Sequence, residues 1–187
     1  MKKVSLLLFV TIILISCKEI KYKEEVSNLN IEIKTEKISN QEIKTFITTN
    51  FPENTAFTIT VSRDYKRQNN GEQYAGELYY TYNSNVKNSS IEFTFDIDDM
   101  KWINEYKKIQ KQNAEFDKSL TDIDFSSIKD SIEINVLFTP KAQQSNNVKE
   151  LLGVNGENLK GKGTEDNGSF KIFTKTIKIY DKFKIQF

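Results

Sequence analysis

Histidine is absent from all 187 residues. Its absence removes the usual general base near neutral pH, and with it a Ser-His-Asp triad and any histidine-ligated zinc, copper or iron. Cysteine occurs once, at Cys17, so the chain can form no internal disulfide and no thiolate cluster. Arginine occurs only at Arg63 and Arg67 among 27 basic residues, which leaves bidentate recognition of phosphate two side chains to draw on. Charge of either sign is not in excess: 27 basic residues stand against 26 acidic ones, a formal net charge of +1. Such a chain has no long-range field for nucleic acid, and neither a nucleic-acid partner nor a cofactor is expected. Proline is limited to Pro52 and Pro140, so few backbone positions are barred from a sheet.

The sequence has one long apolar run, Val4 to Ile15, broken only by Ser5 and Thr11 and preceded by Lys2 and Lys3. It is shorter than the roughly 20 apolar residues that span a bilayer and falls within the roughly 7–15 of a signal-peptide core. Leu14-Ile15-Ser16-Cys17 follows directly. An aliphatic residue, a small residue and then cysteine resemble the lipobox of bacterial lipoproteins. The resemblance covers residues 1–17 and implies cleavage before Cys17, lipid on its sulfur and acylation of the new amino terminus. Several acyl chains anchor firmly where one does not, because each buried CH₂ contributes about 0.8 kcal/mol. The expected organisation is a signal peptide at 1–16, a lipidated tether at 17–28 and a single β-rich domain at 29–187. Cleavage leaves 171 residues, enough for one core, with 25 basic against 26 acidic side chains. The expected location is an exported, membrane-anchored one. Lys18-Glu19 follows the cysteine, with no aspartate there, which favours the outer membrane and leaves its periplasmic and surface faces both open.

Periodicity points to a mainly β domain. Leu29, Ile31 and Ile33 alternate with polar residues, as do Phe57, Ile59 and Val61, then Ile91, Phe93 and Phe95, then Ile132, Ile134, Val136 and Phe138. Asn50 to Asn54 reads as a turn, Arg67 to Gly71 as a polar loop ending in the turn signal Asn70-Gly71, and 83–90 as another polar loop, so the first half reads as a meander. Leu78, Tyr80 and Tyr82 are expected to face the core, with Tyr79 outward. Trp102, Tyr106, Ile109 and Phe116 recur at helical spacing, which predicts a helix over about 99–117 packed on the sheet, capped by Asp98 or Asp99. Val148, Leu151 and Leu152 before Gly153 predict a short helix with a left-handed glycine stop. The last strands run from Phe170 to Phe187, with a bulge or turn expected near 174–176 where the apolar phase shifts. The fold class is an antiparallel sandwich of immunoglobulin-like character with one covering helix, or alternatively an α+β sheet.

Four groups of residues are candidates for chemistry. Asp96, Asp98 and Asp99 form the densest carboxylate cluster, but lack the central glycine and twelfth-position glutamate of a calcium loop; capping and solvation account for them better. Asp122 and Asp124 could serve glycoside hydrolysis if a cleft brought them together. Tyr74, Tyr79, Tyr80 and Tyr82 combine rigid rings with hydroxyls suited to recognition, although strands favour tyrosine for packing alone. Of these, Tyr79 is the candidate contact. Lys101, Lys107, Lys108 and Lys111 could touch anionic headgroups or polysaccharide, or simply solvate a helix face. The expectation is a non-catalytic binding domain for an envelope protein or glycan, held at the membrane through lipid on Cys17. The alternatives are an accessory subunit of an envelope assembly and a carboxylate-dependent hydrolase.

Overall fold

A computed structural model describes residues 28–184 apart from 70, 114 and 119. The signal peptide, Cys17, most of the tether and the last apolar residues Ile185 and Phe187 lie outside the described residues. The fold is mainly β, two antiparallel sheets with helices added, in agreement with the expected class. Strands β1 (Ile31–Lys37), β2 (Glu42–Thr49) and β5 (Ser90–Asp96) form one sheet in the order β1-β2-β5. Strands β3 (Ala56–Arg67), β4 (Gln73–Asn85), β7 (Ser131–Phe138), β8 (Thr164–Asp166) and β9 (Lys171–Tyr180) form the other, in the order β4-β3-β7-β9-β8, and a two-residue β6 (Ile123–Asp124) pairs with the end of β3.

The first five strands are not a meander, because the chain changes sheets twice among them, and a third time after β5. Phe51-Pro52 carries it from β2 to β3, where Thr55 Oγ1 donates to the Pro52 carbonyl at 2.6 Å. Val86, fully buried, carries it back from β4 to β5, and its amide bonds the Thr55 carbonyl at 2.9 Å. Part of the expected loop at 83–90 is a two-residue turn: Asn88 and Ser89 have φ of 50° and 58°, and Lys87 and Ser90 exchange both backbone bonds at 3.0 Å. Two successive positive φ values match the right-handed twist of the flanking strands.

The core lies between the sheets. At one end Phe51 packs against Phe57, Phe138 and Phe173 with centroids 5.0, 5.6 and 5.1 Å away. At the other, Ile43 and Phe95 of the small sheet meet Val61, Ile132 and Ile134 of the large one. Each such branched or aromatic side chain contributes about 1.5–3 kcal/mol by leaving water.

Helix α1 (Asp99–Asn113) closes this second end, ending four residues before the predicted 117. Trp102 and Ile103 are its buried residues, whereas Ile109 is 45% and Phe116 88% exposed. The predicted stripe is therefore right for its first turn and Tyr106, and wrong beyond. Helix α2 (Asn146–Leu152) is capped by Ser145, whose hydroxyl accepts from the Val148 amide, and stops at Gly153. That glycine has φ 89° and ψ 150°, a positive φ but not the left-handed helical conformation predicted. Strand β9 is also unbroken: its register with β7 runs continuously from Phe173 to Tyr180 without the predicted bulge. The apolar phase shifts because Ile172 lies on the outer face while Phe173, Ile177 and Ile179 share the inner one.

Candidate functional site

Strand β3 places Phe57, Ile59, Val61, Arg63 and Tyr65 on its inner face, so an arginine occupies a core position. Its side chain is fully buried and almost fully bonded. Nε donates to Asp99 Oδ1 at 2.9 Å and Nη2 to Asp181 Oδ2 at 3.1 Å. Nη1 donates to the carbonyls of Lys129 and Asp181 at 2.9 and 2.7 Å. Two carboxylates and two carbonyls thus compensate a charge that would otherwise be expensive to bury. The guanidinium ties the start of α1 and the end of β9 to the centre of the large sheet. The sequence signal was available, since Arg63 continues the i, i+2 series begun by Phe57.

Over this hub opens a cleft of about 980 Å³, between the β1–β2 turn, the β5–α1 junction and the segment after β9. Lys37, Gln41, Asp96, Asp98, Asp181 and Lys182 are among its walls. Most of its carboxylates are committed to structure. Asp98 caps α1 by accepting from the Lys101 amide at 3.2 Å. Asp99 Oδ1 accepts from both Arg63 and the Trp102 indole, each at 2.9 Å, and Asp181 takes Arg63 and Lys37. Asp96, Asp98 and Asp99 therefore do not converge on a cation, and among the described residues no group of three or more potential ligands does. Asp122 and Asp124 do not pair either: Asp122 bonds the Ile123 amide at 2.9 Å, and Asp124 caps the short 3-10 turn after it through Ser126.

An aromatic stack seals the helix end. Tyr65 lies on Trp102 at 5.0 Å, stacked, with Tyr74 and Tyr106 at 6.0 and 5.7 Å. The Arg67 guanidinium lies over the Tyr74 ring at 3.8 Å. Burial pushes the Tyr65 phenol up to about 12, the neighbouring Tyr106 adding to it and Arg67 opposing it. Tyr106 is raised in the same way, by burial first. The helix lysines Lys101, Lys107, Lys108 and Lys111 all face solvent, and Lys107 lies over the Phe125 ring at 5.3 Å. Glu105 sits between Lys101 and Lys108 on the helix, which dilutes the positive face.

The tyrosines of β4 are distributed oppositely to the prediction. Val61 pairs with Tyr79 and Ser62 with Glu77, so Leu78 is an extra residue, a β-bulge. A bulge puts two consecutive residues on one face and inverts the alternation beyond it. Leu78 stays buried, but Tyr79 follows it inward and stacks on Phe93 at 4.8 Å. Tyr80 and Tyr82 turn outward, 52% and 61% exposed. Tyr79 is therefore a packing residue, not a contact surface.

On the outer face Tyr80 is registered with Thr60, Thr60 with Asn135, and Asn135 with Thr176. The next row toward Tyr82 is Thr58, Leu137 and Thr174. Asn135 Nδ2 donates to Thr176 Oγ1 at 2.8 Å and Thr174 Oγ1 at 3.2 Å. The row beyond Tyr80 carries charge, but Lys178 and Glu133 pair across it at 3.2 Å. No family model, curated protein or solved structure matches this chain.

Proposed function

We propose that this chain is a lipid-anchored envelope lipoprotein whose β domain binds a ligand and does not catalyse a reaction. The anchor follows from the lipobox resemblance at Leu14 to Cys17. The observation that supports binding is the outer face of the large sheet, where Tyr80 and Tyr82 stand half exposed or more beside rows of threonine and asparagine. Exposed tyrosines on a rigid scaffold give contact area at low entropic cost, which is why recognition surfaces favour them. The hydrolase reading is weaker because Asp99 and Asp181, two of the carboxylates that line the cleft, both neutralise Arg63. The assembly-subunit reading shares the anchor but gives no reason for this face to hold tyrosine.

Two experiments in the source cell test the proposal. Metabolic labelling with an alkyne fatty acid should mark the chain, and Cys17→Ser should abolish both the label and sedimentation with membranes. An unlabelled wild-type chain would end the lipoprotein reading. A photoreactive phenylalanine derivative in place of Tyr80 should capture a ligand in cells, whereas the same group at the exposed Ile109 of α1, the helix that packs on the inner face, should not. Equal or absent capture at both positions would remove the binding reading.

A further inference from the structure

We propose that the outer face of the large sheet is a binding site for a neutral oligosaccharide, lying across the strands with one end on the Tyr80 and Tyr82 rings of edge strand β4 and its hydroxyls on Thr60, Asn135 and Thr176. This rests on the binding-module reading above and names its ligand class. Three properties of the face select such a ligand. The first is shape: four strands side by side present the Tyr80 row as a shallow track about 14 Å long, from the usual strand spacing. That is long enough for about three sugar units and too shallow to enclose a compact ligand.

The second property is charge. The rows containing Tyr80 and Tyr82 hold tyrosine, threonine, asparagine and leucine, with no ionisable group of the acid or base type. Beside them Glu133 is matched by Lys178, and the exposed Glu77 at the register of Ser62 leaves that flank slightly negative. An anionic polymer or headgroup would find no cation here, and a cationic peptide no unpaired carboxylate in these rows. A protein partner would need a dry apolar centre, and Leu137 alone supplies one.

The third is hydrogen-bonding capacity. Both N–H groups of Asn135 are spent on Thr174 and Thr176, which fixes the amide so that its oxygen, unbonded within the described residues, is an acceptor. Each of those hydroxyls, having accepted, keeps its own proton to donate. The face therefore sets fixed acceptors and donors beside two aromatic rings on the edge strand β4, the combination that a polyhydroxylated ring with apolar C–H faces complements. Tyrosine rings take the C–H face and their hydroxyls remain wet.

The test is isothermal titration calorimetry of the full chain in detergent with neutral oligosaccharides of glucose and of N-acetylglucosamine, from dimer upward. Affinity should rise with length to about three units and then level off. Tyr80→Ala and Tyr82→Ala should each weaken it about tenfold, equivalent to the loss of one stacking contact. Asn135→Ala should weaken it too, and Tyr79→Phe, on the inner face, should leave it unchanged. Melting temperatures report whether each variant is folded. No binding of either sugar series, or binding that survives Tyr80→Ala with Tyr82→Ala, overturns the inference. A protein captured at position 80 by a chain that binds no sugar would also overturn it while leaving the binding-module reading standing; failure of both capture and sugar binding would remove the two together.

Discussion

Arg63 donates its Nε–H to Asp99 Oδ1 at 2.9 Å, and the indole of Trp102 donates to that same oxygen at 2.9 Å. One carboxylate thus satisfies a guanidinium in the core of the sheet and the indole of the helix that covers it. Asp99→Ala strips both donors of their acceptor, the guanidinium fully buried and the indole nearly so. Removing one partner of a buried ion pair costs about 3–5 kcal/mol, and that loss is expected in the urea unfolding free energy. Asp99→Asn should cost less, because its amide oxygen still accepts both bonds and only the charge is lost. If Asp99→Ala unfolds within about 1 kcal/mol of the wild type, Asp181 and the two carbonyls alone are sufficient for Arg63.

Gly76 makes the contact between α1 and β4 possible. A Cβ there would meet Trp102 Cδ2 at 2.3 Å, against the rigid ring and not a flexible tip. Its backbone is unremarkable, so the requirement is for space and not for a special φ. Gly76→Ala should therefore push the indole and with it the first turn of α1 outward, at a cost of about 1–3 kcal/mol. Trp102 is the chain's single tryptophan and is buried. Its fluorescence reports the displacement directly: emission should shift to the red and become accessible to a quencher. Unchanged emission in a folded Gly76→Ala protein would mean that the ring finds another seat.

Tyr79, Tyr80 and Tyr82 of β4 should separate cleanly by stability. Tyr79→Ala removes a ring stacked on Phe93 and packed against both halves of the core. A loss of about 3–5 kcal/mol is expected, in line with deletion of a core aromatic. Tyr80→Ala and Tyr82→Ala remove exposed rings and should cost no more than about 1 kcal/mol, the span of strand propensities. Thermal melts of the three variants check the bulge itself, because a regular strand would reverse the order.

That reversal marks where the sequence stops being legible. The alternation at Phe57, Ile59, Val61 and at Ile132 to Phe138 is carried by branched and aromatic residues, and the strands stand where it puts them. The bulge at Leu78 has no comparable signal: Leu78, Tyr79 and Tyr80 are all compatible with either face, and the extra residue is fixed by the partner register of β3. The helix shows the same limit, because Ile109 and Phe116 keep helical spacing although Ile109 faces solvent and α1 ends at Asn113, before Phe116. Sheet membership is also a tertiary matter. Nothing local in β5 says that it pairs with β2 and not with its neighbour β4. Most of the outer-face site depends on these non-local registers, so the tyrosines were visible in the sequence but not which of them faced out.

Alkaline pH offers a test of the aromatic stack. The Tyr65 phenol is raised from 10.0 to about 12, with burial as the largest cause. In the folded chain its proton is held more tightly than in the unfolded one. The corresponding stability is fully present below pH 10 and is lost as the pH climbs from there through about 12, where the unfolded phenol has ionised and the folded one has not. Tyr106 is raised too and acts in the same direction, so a single replacement should blunt the decline without abolishing it. Tyr65→Phe keeps the ring on Trp102 and removes the titrating group. The difference in urea midpoint between wild type and Tyr65→Phe should be constant below pH 10 and then shift in favour of the variant as pH rises. Lysine deprotonation affects both proteins alike and cancels in that difference. A difference that stays flat through the alkaline range would mean that the Tyr65 phenol titrates as it does in water, and that the stack does not exclude solvent from its hydroxyl.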